Sequence, residues 1–293
     1  MDELNLDVLP VSVTGPGSQP LEQDGSRLEF IPLPKEMDSY RRPDIPEPEA
    51  VQHLLGARAA TDWIRDALQR YRVGDEPLMA NISALDADNR ELVNQILGEG
   101  EVSLKYEGRV HARMQESVLA GLWRTFYLDA HGAITHDLIE VADVPLLARR
   151  PLREGRTDLD ALTQVRPPAE VMNAMPLLSE LQEHLAAWRR GSEPHVVNLT
   201  LLPLSEADIA FLDEVLGGGP VRTLSRGYGD CQVRSTAWRN LWWVRYHNSM
   251  GTLILNTLEV VDVPQVACAA REDLDDSRRR LDELLEPYWR ELE

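Results

Sequence analysis

Residues typical of a buried helix face recur every three or four positions in two stretches of the chain. In the first stretch the series is Val51, Leu54, Ala57, Thr61, Ile64, Leu68 and Tyr71. In the second stretch, at an offset of 117 residues, it is Val171, Ala174, Leu178, Leu181, Leu185 and Trp188. This spacing predicts one amphipathic helix in each stretch, with one side buried against a core.

The same succession of elements is predicted after each of these helices. After the first helix we expect a strand at 78–82, a helix at 87–97, and strands at 101–107, 113–129 (broken near Gly121) and 134–141. After the second we expect a strand at 196–202, a helix at 205–216, further strands between 221 and 260, and a last helix at 272–286. Ser205, followed by Asp208, is close to a capping box, and glycines at 98 and 217 suit helix ends.

This succession reflects an internal duplication. The segment EVADVP at 140–145 is answered by EVVDVP at 259–264, and the offset of 119 residues holds without a gap from residue 97 onwards. A repeat of this kind fixes the architecture before propensities are considered. We therefore expect an α+β protein of two tandem duplicated two-layer α/β sandwich domains with mostly antiparallel sheets. Their boundaries are 49–150 (the first copy) and 166–293 (the second copy), and pairing through sheet edges or helices stays open.

Residues 1–48 differ from the rest because they carry eight prolines and no sustained apolar period. They predict an extended or disordered N-terminal arm. An apolar island at 28–34 could dock on a sheet edge or a groove. The alternative, which we favour, is a tail that packs on its own domain.

Charge and composition narrow the function. The formal net charge is -19, which disfavours nucleic acid and anionic membranes as partners because both attract clustered positive charge. A run of about 18 apolar residues is lacking, so membrane insertion is not expected. The N-terminus reads MDEL and shows no secretory leader, so we expect a cytoplasmic protein. Two cysteines give no disulfide framework.

Positions that differ between the copies are candidates for function, since shared positions serve the fold. The largest chemical difference is the segment LSRGYGDCQV at 224–233, which faces KYEGRVHARM at 105–114. Arg226, Tyr228, Asp230 and Cys231 here could present an aromatic anchor on a mobile hairpin, as binding sites do. The alternative interpretation, which these residues alone favour, is a tight turn above a buried cysteine.

Metal and catalytic signals are weak. Cys231 and Cys268, with His247 as the nearest histidine, could hold a metal ion if they meet in space, although their spacing matches no known ligand pattern. Packing is the ordinary role for Cys268.

The chain lacks a Gly-x-Ser-x-Gly elbow, an HExxH pair and a P-loop. Glu140 and Glu259 match between the copies and are interpreted as strand or interface features. We therefore predict no catalytic residues and no enzyme.

Four stretches of the second copy resemble the C-terminal region of the HupH/HyaF/HoxQ hydrogenase expression proteins. They are LSRGYGDC at 224–231, NSM at 248–250, LILNTLEVVDVPQVA at 253–267 and EDL at 272–274. The resemblance implies an accessory protein for maturation of an uptake NiFe hydrogenase. It implies as partners the iron–sulfur small subunit with its twin-arginine leader and a thioredoxin-like hydrogenase accessory protein.

Three hypotheses follow from the residues and the resemblance. The first is a maturation chaperone without a resident cofactor, which binds the immature small subunit before export through Arg226, Tyr228, Asp230 and Cys231. The second is a nickel or iron–sulfur carrier that uses Cys231 and Cys268. The third, and least favoured, is a thiol enzyme, which would need a depressed pKa at Cys231.

Overall fold

The computed structural model describes residues 46–226 and 229–288. The predicted arm at 1–48 lies almost wholly outside the described residues, and its structure stays a prediction. The described helices are α1 (Pro48–Val51), α2 (Leu55–Arg70), α3 (Ala87–Leu97), α4 (Pro151–Glu154), α5 (Ala174–Ala187), α6 (Glu206–Leu216) and α7 (Arg271–Leu285). Short 3-10 turns are η1 (Leu146–Arg149), η2 (Leu159–Leu162), η3 (Leu199–Leu201) and η4 (Gln265–Ala267). None of the helices in the described part is both long and apolar enough to cross a bilayer.

The strands form one antiparallel sheet in the order β1-β5-β4-β3-β2-β7-β8-β9-β10-β6. From the first copy come β1 (Leu78–Asn81), β2 (Val102–Glu107), β3 (His111–Glu116), β4 (Leu122–Leu128) and β5 (Ile134–Val141). From the second come β6 (His195–Asn198), β7 (Val221–Arg226), β8 (Gly229–Ser235), β9 (Leu241–Asn248) and β10 (Leu253–Val260). The α+β class and the antiparallel pairing are thus as predicted.

The second copy repeats the first from the opposite edge of the sheet. Read inward from each end, the order is β1-β5-β4-β3-β2 in one copy and β6-β10-β9-β8-β7 in the other. The copies join where β2 pairs with β7, and the Leu104 to Thr223 pair lies at the centre. At the 119-residue offset the pair Val102 to Ser225 maps onto Val221 to Tyr106, so this seam has approximate two-fold symmetry. Each copy supplies half of one sheet, in place of the separate sheets that two independent domains would have.

Helices cover one face of each half of the sheet, and each helical layer includes a segment from the other copy. The first helical core gathers residues of α2 and α3 with Leu274, Leu281 and Leu285 of α7. The second gathers residues of α5 and α6 with Leu162 of η2. The segment that follows the last strand of each copy therefore packs on the helical layer of the other copy, and the exchange is reciprocal.

The opposite face carries a third core that both copies build together. It contains residues of β2, β3, β7 and β8, the indoles of Trp123 and Trp242, and residues of the η1 and η4 turns. Trp123 belongs to this face because its neighbour Leu122 points into the helical core and strand side chains alternate. The third core spans the two-fold seam and ties the halves into one unit.

Local signals act as the sequence predicts. α3 begins and ends at the predicted residues, and α6 opens with a full capping box between Ser205 and Asp208. Gly98 and Gly217 follow these helices with φ of 57° and 60°. Before β4 and β9 the chain turns through Gly121 and Asn240, whose φ angles are 79° and 62°. A Cβ at Gly121 would overlap the Cδ2 atom of Leu274 of α7, so a side chain there would force this buried leucine to shift.

Candidate partner-binding site

The segment that differs most between the copies forms the hairpin of β7 and β8. Arg226 pairs with Asp230 across the hairpin, and the Arg226 N–H donates to the carbonyl oxygen of Glu101 at 3.1 Å. Arg226 is half-buried and Asp230 is exposed. Gly227 and Tyr228 lie outside the described residues, so the placement of Tyr228 stays a prediction. Arg226, the last residue of β7, therefore lies beside the residue that precedes β2, where the two copies meet.

Backbone contact limits how β8 can begin. Gly229 has a φ of 151°, and a Cβ at this position would overlap the carbonyl oxygen of His247 on β9. A side chain would force these two strands apart, which is one reason a glycine stands here. The first copy has Val110 at the matching position, outside a strand. The two hairpins thus differ in backbone as well as in side chains.

Cys231 lies inside the protein rather than on its surface. It is 6% exposed and belongs to the third core, with Tyr246 opposite it on β9. Burial raises the pKa of its thiol to about 11; the nearby carboxylate of Glu259 adds to the rise and a hydrogen bond with Tyr246 opposes it. The matching residue in the first copy is Ala112, which is also buried. Cys231 therefore supports the hairpin from beneath as a protonated, poorly nucleophilic thiol.

Cys268 lies where the second copy crosses onto the first. Its Sγ is 3.6 Å from the carbonyl oxygen of Pro264, and the backbone N–H of Ala269 donates to the carbonyl oxygen of Asp143 at 2.8 Å. Burial raises the pKa of the Cys268 thiol to about 12, the charge of Asp143 adds to the rise, and Arg149 opposes it. Both cysteines are free thiols with raised pKa values, the opposite of what the thiol-enzyme hypothesis needs.

The predicted metal ligands do not form one cluster within residues 46–226 and 229–288. The group of three donor atoms that lie within 4.8 Å of one another belongs to Glu180, His184 and His195, and not to Cys231, Cys268 and His247. The Nδ1 atom of His247 is buried and has no hydrogen-bond partner among the described residues.

Three carboxylates influence one another near the start of β2. Glu116, at the end of β3, is buried and accepts a hydrogen bond from the N–H of Gly121 at 3.1 Å. Burial raises the pKa of Glu116 to about 7, and the negative charges of Asp273 on α7 and of Glu101 raise it further against the Gly121 hydrogen bond. We call Glu101, Glu116 and Asp273 the acidic cluster. Both copies contribute to it, and its member Glu101 accepts a hydrogen bond from the backbone of Arg226.

The matched glutamates hold the fold. Glu140 is fully buried; its Oε1 accepts from the hydroxyl of Thr125 at 2.5 Å and its Oε2 from the N–H of Leu146 at 2.9 Å. Glu259 accepts from the hydroxyl of Thr257 at 3.1 Å. Burial raises the pKa of both carboxyl groups. In the first copy this glutamate fixes the start of η1, in keeping with the structural role predicted from the sequence.

Sequence reasoning missed two groups of side chains. The acidic cluster combines the residue before β2 with residues of β3 and α7, which the fold brings together only because α7 crosses to the first copy. The cluster of Glu180, His184 and His195 combines a helix with an edge strand. Its one visible signal was the i, i+4 spacing of Glu180 and His184, which places both on the same helix face.

Together, the fold and these groups define a protein made of two copies of one α+β unit that share a single sheet. The copies keep the same strand order and differ chemically at one hairpin and one helix face. The chain belongs to the HupH hydrogenase expression protein family. The conserved C-terminal region of that family matches twice, at residues 54–165 and 171–288, which confirms both the predicted family and the internal duplication.

Relatives of similar length share most of the chain. The hydrogenase expression/formation protein HoxQ of Cupriavidus necator is 45% identical over 277 residues, which cover 94% of this chain and 96% of the relative. The hydrogenase-1 operon protein HyaF of Escherichia coli is 31% identical, with 92% and 93% covered. A solved structure of the hydrogenase expression protein HupH from Thiobacillus denitrificans covers 39% of this chain and 95% of its own, at 32% identity and a TM-score of 0.37.

Proposed function

We propose that this chain assists the maturation of a NiFe hydrogenase by binding the immature iron–sulfur small subunit in the cytoplasm before export. The names of the relatives support the role in hydrogenase maturation, because proteins called hydrogenase expression/formation proteins match this chain over nearly its whole length. Binding of the small subunit is our extension of that role. A thioredoxin-like hydrogenase accessory protein is the second partner in this proposal.

The hairpin of β7 and β8 supports a binding role because the first copy has no tyrosine at the position of Tyr228. The first copy builds the equivalent hairpin with Arg109 at the position that matches Tyr228, and it forms the same sheet order. We take Arg226, Tyr228 and Asp230 as the contact residues and Cys231 as the buried support of the hairpin. A tyrosine at a hairpin end offers a large, rigid contact area of the kind that dominates interfaces.

Charge supports a basic segment as the part of the small subunit that docks here. Glu101 of the acidic cluster contacts the backbone of Arg226, Asp230 is exposed on β8, and the whole chain has a formal net charge of -19. A twin-arginine leader is positively charged, so the two surfaces attract each other and speed their encounter at low salt. Glu116 adds a specific consequence. A cation docked beside it favours its ionised form, so binding near pH 7 releases a proton.

The test is capture of purified small-subunit precursor by this chain, with Tyr228→Ala as the variant. Loss of an anchoring tyrosine costs about 2 kcal/mol, or roughly 30-fold in Kd. The matched control is Arg109→Ala, which truncates the equivalent, exposed position of the first copy and should leave the Kd unchanged. Equal Kd values for Tyr228→Ala and the unchanged chain would remove the hairpin from the interface. Failure of the unchanged chain to bind the precursor would reject the small subunit as the partner.

A second measurement addresses the leader. Precursor that lacks its twin-arginine leader should bind more weakly, and the difference should shrink as salt rises from 50 mM to 500 mM because screening removes the charge attraction. Equal affinities with and without the leader at low salt would place the contact on the folded part of the small subunit instead.

A further inference from the structure

We propose that Glu180, His184 and His195 form a binding site for a divalent transition-metal ion of the Zn²⁺ class. This inference does not depend on the proposed function. The site lies at the outer edge of the second copy, where the last turns of α5 meet the first residue of the edge strand β6.

The three side chains lie close together. Glu180 and His184 are four residues apart on α5 and so lie on one face of the helix. The Nε2 atom of His195 is 2.8 Å from the Oε1 atom of Glu180. The rings of His184 and His195 are stacked, with 3.3 Å between centroids and 5° between planes. One donor atom from each residue lies within 4.8 Å of the others.

This donor set suits zinc. Two imidazole nitrogens and one carboxylate oxygen are a common ligand set for Zn²⁺ in proteins that keep a fourth position open. Donor atoms at about 2.0–2.1 Å from a tetrahedral ion are roughly 3.4 Å apart. Each imidazole lone pair lies in its ring plane, so one of the two stacked rings must rotate out of the stack when the ion binds. The side chains of His195 and Glu180 are 27% and 42% exposed, which gives an ion a path from solvent.

The first copy provides a natural comparison. At the 117-residue offset the matching residues are Trp63, Ala67 and Leu78. Ala67 is a member of the first helical core, and Trp63 and Leu78 pack against it. The same place in the fold can thus be closed with apolar side chains. The three metal-binding side chains in the second copy are therefore not a requirement of the architecture, and they replace apolar packing at three positions together.

The experiment is titration of the tag-free, chelator-treated full chain with ZnCl₂, followed by calorimetry and by thermal unfolding. We expect about one saturable site and a rise in Tm of several degrees at saturation, because an ion that binds only the folded state stabilises it. The same protein with Co²⁺ in place of Zn²⁺ should show the visible absorption bands of a tetrahedral site.

The decisive variant is the double substitution His184→Ala with His195→Leu. It installs the residues that the first copy carries, so it should fold, and it should weaken Zn²⁺ binding roughly tenfold or more and abolish the rise in Tm. The exposed His131→Ala is the matched control and should bind as the unchanged chain does. Lack of a saturable site in the unchanged chain, or equal affinity in the double variant, would overturn the proposal and leave Glu180 and His195 as a structural pair.

Discussion

The two copies have different side-chain pairs at the same point of the sheet, on the face that the helices cover. In the first copy the guanidinium of Arg124 on β4 bonds both carboxylate oxygens of Asp137 at 2.5 and 2.6 Å. At the matching positions of the second copy, the indole N–H of Trp243 donates to the amide oxygen of Asn256 at 2.5 Å. One copy buries an ion pair and the other an aromatic ring with a neutral partner. Both copies therefore have a hydrogen-bonded polar pair at this point, and the pair is charged in the first copy and neutral in the second.

The same comparison separates backbone requirements from side-chain choices. Gly121 and Asn240 share a left-handed backbone, and Gly121 lies under a leucine of the exchanged helix. Asparagine adopts this conformation more readily than most other residues. At Gly121, a neighbour from the other copy thus limits which residue fits.

The largest effect we expect comes from breaking the ion pair of the first copy. Arg124→Ala leaves the carboxylate of Asp137, whose side chain is 6% exposed, without its principal partner. An uncompensated buried charge costs about 3–5 kcal/mol, so the midpoint of urea unfolding should fall sharply. Arg153→Ala breaks an exposed pair with Glu76 and serves as the control, with an expected change below about 1 kcal/mol. A similar loss of stability in both variants would mean that burial does not make the Arg124–Asp137 pair more stabilising than an exposed pair.

A smaller effect tests the reciprocal exchange of segments. Leu281→Ala removes a fully buried side chain of α7, which should cost about 2–4 kcal/mol. Because Leu281 packs in the helical core of the first copy, hydrogen exchange should rise in α2 and α3 and stay unchanged in α5 and α6. The matching variant Leu162→Ala should reverse that pattern, since Leu162 packs on the second copy. Loss of protection in α5 and α6 from Leu281→Ala would contradict the exchange.

The sequence predicted the features that depend on local signals, and it did not predict which distant elements pack together. The ends of α3, the capping box at Ser205 and the repeat itself depend on neighbours in the chain, so pattern and offset were enough to find them. The apolar stripe of α7 predicted a buried face but did not say against which helices it packs. Likewise, His184 and His195 are 11 residues apart on two elements, and only the pairing of β6 with β10 brings them together.

The smallest effect concerns Glu116, whose counterpart in the second copy is Ser235. Its pKa is raised from 4.5 to about 7, so the free energy it contributes to stability is full below about pH 4.5 and is lost as pH rises through about 7. Glu116→Gln keeps the acceptor for Gly121 without the charge. The variant should therefore match the unchanged chain at pH 4 and be more stable at pH 8 by about 1–3 kcal/mol, measured by urea unfolding at both values.

The serine of the second copy sets the control for this pH dependence. Ser235 carries no charge and bonds the N–H of Val221 at 3.0 Å, so Ser235→Ala should lower stability by a similar amount at pH 4 and pH 8. A difference between Glu116→Gln and the unchanged chain that does not vary with pH would mean that Glu116 is not held in its protonated form. It would also remove the proton release expected on binding a basic segment, because that release needs a carboxyl group that is still partly protonated near neutral pH.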